Sequence, residues 1–246
     1  MQIEGKNLSV KNDEGDVLFD NMSFLFRTGE FTILATDDTQ KAVTFAMLAS
    51  GRLRKYTGSL SASEELGTAA EAAFNLRELR NMTAVPFVPV IGEPDEFLKA
   101  WRVLKEEFLF AGENVSRESV LEYMGSVMGV GPAGLASLRL KSVPGPVRIK
   151  MFTELAAMRP GVRFVFVTHP ERYAGLPNEW FAAIKEIQHG DNAVILLTTK
   201  VVAEFLNEGY YDLDDSMKYR EPKPSAEAVA AGGGSLVIKP GAGYGS

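Results

Sequence analysis

With 246 residues, 46% hydrophobic, 24% charged and 10% aromatic, the chain has an ordinary globular make-up, which excludes disorder, collagen and coiled coil for its bulk. Its formal charge of −6 lacks the concentrated basic face that nucleic-acid binding needs, so nucleic acid is not expected as a partner. Zero cysteines remove disulfides, thiolate metal sites and a cysteine nucleophile, and His169 and His189 alone are too few for a histidine-rich metal centre, so no metal site is expected.

Residues Gln2 to Val10 and Val17 to Phe26 alternate as strands do, Thr28-Gly29-Glu30 reads as a turn, and Phe31 to Ala35 as a short apolar strand. The polar turn Thr36 to Thr39 leads into a largely buried helical pattern over Lys41 to Ser50, giving a strand-loop-helix unit. From about Glu64 to Leu140 helix dominates: Phe97, Leu98, Trp101, Leu104 and Phe108 recur at helical spacing, and Val120, Leu121, Met124, Val127 and Met128 follow the candidate caps Asn114 and Ser116. This middle reads as a helical insert spanning about 90–145.

An amphipathic stretch from Val147 to Arg159 stops at Pro160-Gly161. The run Val162 to Val167, apolar except for Arg163, then suits a central parallel strand. Pro177 to Gln188 reads as a helix, Ala193 to Thr198 as an apolar strand and Val201 to Asn207 as a further helix, an alternation that implies βαβ units. After Pro222 the composition turns to Ala, Gly and Pro, so 222–246 is expected to be a flexible tail, with Leu236 to Ile238 able to dock transiently. No run approaches the roughly 20 apolar residues of a membrane-spanning helix, and the opening MQIEGKNLSV lacks the pattern of a signal peptide; a cytoplasmic protein without direct membrane insertion is expected.

The segments IEGKNLSV, VLFDNMSFLFRTGEFTIL, LASGRLRKYTGSL, VRFVFV followed by THPERYAGL, and AVILLTTK resemble, in order and spacing, the ATP-binding domain of ABC transporters, over about residues 1 to 215. The resemblance implies an α/β fold within 1–221: an ABC-ATPase-like core with a mostly parallel sheet, an N-terminal antiparallel β region and a helical subdomain. It also implies where nucleotide chemistry would sit. The family's phosphate loop, Gly-x-x-Gly-x-Gly-Lys-Ser/Thr, falls on Ala35-Thr36-Asp37-Asp38-Thr39-Gln40-Lys41-Ala42. Its glycines bring backbone N–H groups onto phosphates and the hydroxyl after the lysine holds magnesium. Here every glycine is replaced, and Ala42 cannot ligate a metal.

Asp37 and Asp38 place carboxylates about where triphosphate oxygens would lie. A like-charge pair about 4 Å apart at an effective dielectric of about 20 is unfavourable by about 4 kcal/mol, a large part of the roughly 8 kcal/mol of micromolar binding. An acidic turn is therefore expected to replace the ligand, with Asp37, Asp38 or Thr39 capping the N–H groups that a phosphate would satisfy. Lys41 is expected to be a solvated lysine in the first helical turn.

The family's other motifs are altered in the same direction. Thr168-His169 stand where the resemblance places an Asp-Glu pair. His169 could serve as a general base, and the reading preferred here is a histidine satisfied locally at a strand end. Ser142-Val143-Pro144-Gly145-Pro146 takes the place of LSGGQ, where two prolines remove N–H donors. No glutamine follows the strand near Val85 to Val90, Thr199 takes the place of the switch histidine, and no aromatic lies near Lys11 to Asp13 in the sequence, where the family stacks adenine. Ala174-Gly175-Leu176 resembles the start of the D-loop.

Losing phosphate loop, carboxylates, signature, glutamine and histidine together removes every source of transition-state stabilisation in that mechanism. The expected function is therefore a pseudo-ATPase subunit, without ATP or magnesium as a firm cofactor. Its expected partners are an active ABC ATPase subunit or the membrane subunits of a transporter, which would place it at the membrane through that partner. Trp101, Phe108 and Phe110 are candidate contacts, with core packing as the alternative for most of them. Two other readings stand beside this: a divergent ATPase that still binds ATP through Lys41, and a module sensing another ligand around Asp37, Lys41 and His169.

Overall fold

A computed structural model describes residues 1–64, 75–86, 88, 92–188 and 191–223. Strands β1 (Gln2–Lys11) and β2 (Val17–Arg27) pair antiparallel, and β4 (Thr57–Ser63) joins the other edge of β1, giving the order β2-β1-β4. Both long strands change parity midway. The inward residues are Ile3 and then Leu8 and Val10 on β1, and Phe19 and then Met22, Phe24 and Phe26 on β2. Asn7 and Asn21 absorb the slip with φ of 51° each, a left-handed conformation that asparagine tolerates. Their N–H groups donate to Ser23 Oγ and Ser9 Oγ.

The second sheet runs β5-β6-β7-β3-β8-β9. It comprises β5 (Thr83–Ala84), β6 (Phe164–Thr168), β7 (Ala193–Thr198), β3 (Phe31–Ala35), β8 (Tyr210–Asp212) and β9 (Lys218–Arg220). All neighbours are parallel except the antiparallel β8-β9 pair. Every residue of β6 and β7 is buried, as central parallel strands covered on both faces require.

One face packs on α1 (Thr39–Ala49) and the antiparallel sheet, with Phe45 of α1 lying 6.1, 5.1 and 6.1 Å from the rings of Phe19, Phe24 and Phe26. The other face packs on α5 (Gly145–Ala157), α6 (Pro177–Lys185) and α7 (Lys200–Leu206), with Trp180 and Ile184 fully buried. A third cluster joins α3 (Ala100–Phe110), α4 (Arg117–Met128) and the inner side of α5, which forms the helical lobe. This is the expected class: an α/β fold with an N-terminal antiparallel region, a mostly parallel sheet and a helical lobe.

Some expectations shift. Phe97 and Leu98 lie before α3 and are exposed, because the backbone there is zipped to a neighbouring segment: Ala100 N–H donates to Leu138 O and Leu140 N–H to Leu98 O, both at 2.9 Å. Val162 precedes β6. The β8-β9 hairpin, β4 and the short helix α2 (Leu76–Asn81) are additional elements. The expected tail from residue 224 onward lies outside the described residues.

Candidate functional site

Because β6, β7, β3 and β8 are adjacent and parallel, their C-terminal ends meet at one sheet edge, where open α/β folds place ligands. Four connections leave that edge: the loop into α1, the 170–173 turn, the start of α7 and the 213–217 turn.

The loop into α1 satisfies its own donors. Asp38 is the N-cap, and its Oδ1 accepts from Gln40 N–H at 2.8 Å and Lys41 N–H at 3.1 Å. Buried Thr36 takes the Asp38 N–H on its Oγ1 at 3.1 Å. Asp37 turns away, and its carboxylate accepts from Lys200 N–H at 3.1 Å, at the start of α7. Of the three residues expected to cap this loop, Asp38 does so and Asp37 serves the neighbouring helix. Thr39 is the exposed first residue of α1, and Ala42 is buried beneath it.

Lys41 is not a solvated lysine. Its Nζ lies 3.0 Å from Asp214 Oδ1, and the side chain is only 24% exposed. Asp214, in the turn between β8 and β9, also accepts from Thr36 Oγ1 at 3.0 Å, and its Oδ2 lies 2.9 Å from Lys200 Nζ. Lys200 reaches Asp212 Oδ1 at 3.1 Å as well. Partial burial works against ionisation of Asp214, but the bonds from Lys200, Lys41 and Thr36 outweigh it and hold the carboxyl below its ordinary range. The bond to Asp214, with that to Asp212, raises the Lys200 ammonium against the opposing effect of desolvation. Sequence reasoning missed Asp214 and Lys200. Asp214 lies 173 residues from Lys41, and nothing local marks it.

His169 follows β6 with φ 45° and is 5% exposed. Its backbone N–H donates to Leu197 O at 2.7 Å. Nδ1 lies 3.0 Å from Glu171 Oε1, which also accepts from Thr199 N–H at 3.0 Å, while Glu171 Oε2 accepts from Thr198 Oγ1 at 2.9 Å. Burial pushes the Glu171 carboxyl up, but the bonds from His169, its own backbone and Thr198 leave it below its usual value. A carboxylate only accepts, so Nδ1 carries the imidazole proton. Nε2 is buried and has no hydrogen-bond partner among the described residues. The local satisfaction expected of His169 thus holds for one ring nitrogen. Glu171 was missed, although its place two residues after the histidine was a readable signal.

Around this edge, Val143 of the Ser142–Pro146 segment is buried, and Pro144 is the N-cap of α5. A Cβ on Gly145 would collide with the carbonyls of Tyr173 and Ala174, so α5 begins against the 173–175 turn. Thr199 is the N-cap of α7, its Oγ1 accepting from Val202 N–H. An aromatic does reach Lys11 to Asp13 in space: Tyr56 lines a groove of about 480 Å³ beside them. Phe108 is buried in the helical lobe, Trp101 packs against it partly buried, and Phe110 is 63% exposed. Val90 and His189 lie outside the described residues. Among the described residues no group of three or more His, Asp or Glu is placed to hold a metal ion.

A nucleotide with magnesium needs free loop N–H groups, a free lysine and metal-binding oxygens. Here Gln40, Lys41 and Asp38 N–H donate within the loop, the Lys41 ammonium is bonded to Asp214, Ala42 offers no hydroxyl and Thr168 no carboxylate. As arranged, these residues do not fit that ligand.

The fold class defined by this geometry is that of ATP-binding cassettes. The chain is similar to a nucleotide-free ATP-binding cassette from an ABC transporter, with a TM-score of 0.59, 13% identity and 94% of each chain covered. It is also similar to cbiO1 from Clostridium perfringens, part of the ABC transporter complex cbiONQ, with a TM-score of 0.57, 11% identity, and 85% of this chain and 83% of that one covered. No family model matches the sequence, and no curated protein does. None of the helices among the described residues is long and apolar enough to cross a membrane.

Proposed function

We propose that the chain is a catalytically degenerate ABC-type ATP-binding subunit, a pseudo-ATPase that serves as a structural or regulatory partner in a transporter-like complex. The observation that carries this reading is the self-satisfied loop: the Asp38 carboxylate takes the Gln40 and Lys41 N–H groups and the Thr36 hydroxyl takes that of Asp38. A phosphate entering there would have to displace a cap worth about 1 kcal/mol and face that same carboxylate. The exchange of acidic residues for Thr168 and His169, and of a hydroxyl for Ala42, supports the same conclusion from the metal's side.

The partners are an active ABC ATPase subunit or transporter membrane subunits, and the protein works in the cytoplasm, held at the membrane by them. The membrane-side contact falls on exposed aromatics at the two ends of α3, where Phe97 and Phe110 are 61% and 63% exposed. The test is calorimetric titration with ATP and magnesium, run beside Lys41→Ala. Affinity no tighter than millimolar in both proteins is expected. Micromolar affinity that Lys41→Ala abolishes, or an ATP-dependent shift from monomer to dimer in light scattering, would overturn the reading.

A further inference from the structure

We propose that the turn between β8 and β9 is an intramolecular plug: the Asp214 carboxylate occupies an oxyanion clamp made by Lys41, Lys200 and Thr36, and withdrawal of that carboxylate lets the clamp take a free phosphate-type oxyanion without a metal. The proposal rests on the pseudo-ATPase reading and adds what fills the site and which ligand chemistry it retains.

Three donors from three elements converge on this carboxylate. Thr36 directly follows β3, Lys41 stands in the first turn of α1 and Lys200 opens α7; they lie 3.0, 3.0 and 2.9 Å from Asp214. A surface ion pair holds one cation by one anion and is worth little. Here one carboxylate receives two ammonium groups and a hydroxyl from a buried residue, the arrangement of donors that a tetrahedral oxyanion also accepts. Lys200 is the less expected member, because it stands outside the altered phosphate loop and supplies a second charge where no metal ligand is present.

The turn is built to deliver Asp214. Leu213 N–H donates to Ala35 O at 2.9 Å, so the chain leaves β8 beside the end of β3. Asp212, 5% exposed, accepts from Asp214 N–H at 3.0 Å. Arg220 of β9 reaches back to Asp215 at 2.9 Å and to Asp212 at 3.4 Å. Ser216 and Met217 both take positive φ, 47° and 63°, a conformation that non-glycine residues hold only when their surroundings impose it. With the Asp214 side chain gone, Asp212 still pairs with Arg220 and with one donor of Lys200, while Asp37 and Asp38 remain engaged with backbone N–H groups, so the Lys41 ammonium, the Thr36 hydroxyl and the Lys200 N–H that faced Asp214 are left for a ligand.

The experiment is calorimetric titration of the full chain with sodium pyrophosphate in the absence of magnesium, on wild type, Asp214→Ala and Asp214→Ala combined with Lys200→Met. No saturable heat is expected for wild type, millimolar or tighter binding for Asp214→Ala, and at least a tenfold loss in the double variant. An Asp214→Ala protein with native near-ultraviolet dichroism that binds no pyrophosphate, or binds it equally well without Lys200, overturns the plug and leaves the pseudo-ATPase reading standing. Wild-type binding of magnesium-ATP that depends on Lys41 overturns both. Should Asp214→Ala fail to fold, competitive amine labelling of wild type decides: Lys41 and Lys200 protected at least tenfold relative to exposed Lys6 supports the plug, and equal labelling refutes it.

Discussion

Replacing Glu171 by alanine tests whether the carboxylate beside His169 holds the sheet edge together or is kept for chemistry. Glu171 bonds the His169 imidazole, the Thr198 hydroxyl and the Thr199 backbone N–H, and so ties the end of β6 to the end of β7. Hydrogen bonds to a charged group contribute about 1.5–3 kcal/mol each, and a buried donor left unmade costs a comparable amount. Three such bonds do not add, and Glu171 is 19% exposed, so water can replace part of what is lost. The expected destabilisation of Glu171→Ala is therefore about 3–5 kcal/mol, a large share of the ~5–15 kcal/mol of a typical domain.

In a domain of this size each kcal/mol moves the melting temperature by about 2–4 °C, which puts the expected drop between about 6 and 20 °C in differential scanning calorimetry. Acidification gives a second reading. The Glu171 carboxyl lies below its ordinary value of 4.5 in the fold, so the unfolded chain binds its proton first as pH falls. The stability it contributes is complete above that ordinary value and is lost as pH drops through the lower folded value. The gap between wild type and Glu171→Gln should accordingly be widest near neutrality and narrow in acid. A variant as stable as wild type, or more stable, would refute the structural role, since groups held for function are commonly kept at the expense of stability. A gap that does not change with pH would refute the electrostatic part of the reasoning.

Asp38→Ala should lower stability by about 1 kcal/mol through loss of the α1 cap, read as a fall of about 2–4 °C in melting temperature with little change in circular dichroism. Gly145→Ala should destabilise by about 1–3 kcal/mol in denaturant titration, because the new methyl group meets the Tyr173 and Ala174 carbonyls and the start of α5 must move. Phe45→Ala should cost about 3–5 kcal/mol, since the ring is fully buried among Phe19, Phe24 and Phe26. Unlike the other two, Phe45→Ala lies away from the loops, so any change it makes in ligand titrations should follow its loss of folded protein alone.

The parts of this fold that could be read from the sequence are those in which a local pattern and the tertiary environment agree. β6 and β7 are short apolar runs because both faces of the parallel sheet are covered, and Ser116 marks the start of α4 because its hydroxyl accepts from Ser119 N–H. The β8-β9 hairpin escapes such reading. Its strands have three residues each, too few for a period, and pairing to β3 together with the ion pairs of Arg220 defines them. Phe97 and Leu98 fit a helical spacing, yet the strand-like zipper to residues 138–140 claims that backbone first. At the site, the Asp38 cap was legible because capping is local. The Asp214 contact was not, because sequence spacing carries no information about a partner on another strand.

The arrangement at the sheet edge follows from what a strand-to-helix loop without glycine needs. α1 presents N–H groups at its first turn, and leaving them unmade is unfavourable by about 1–3 kcal/mol each, so acceptors from within the chain stabilise this end of the helix. Asp38 meets that need for the backbone and Asp214 for the Lys41 ammonium, while Asp37 serves α7. None of these residues contributes to the aromatic and aliphatic packing that holds α1 on the sheet. Framework and loop chemistry are therefore physically separable, and the chain shares a cassette fold at 13% identity while carboxylates of its own bond the loop and the lysines at the sheet edge. On the proposed reading, those carboxylates hold the edge in one shape without nucleotide, which is what a subunit retained for its contacts with other proteins requires.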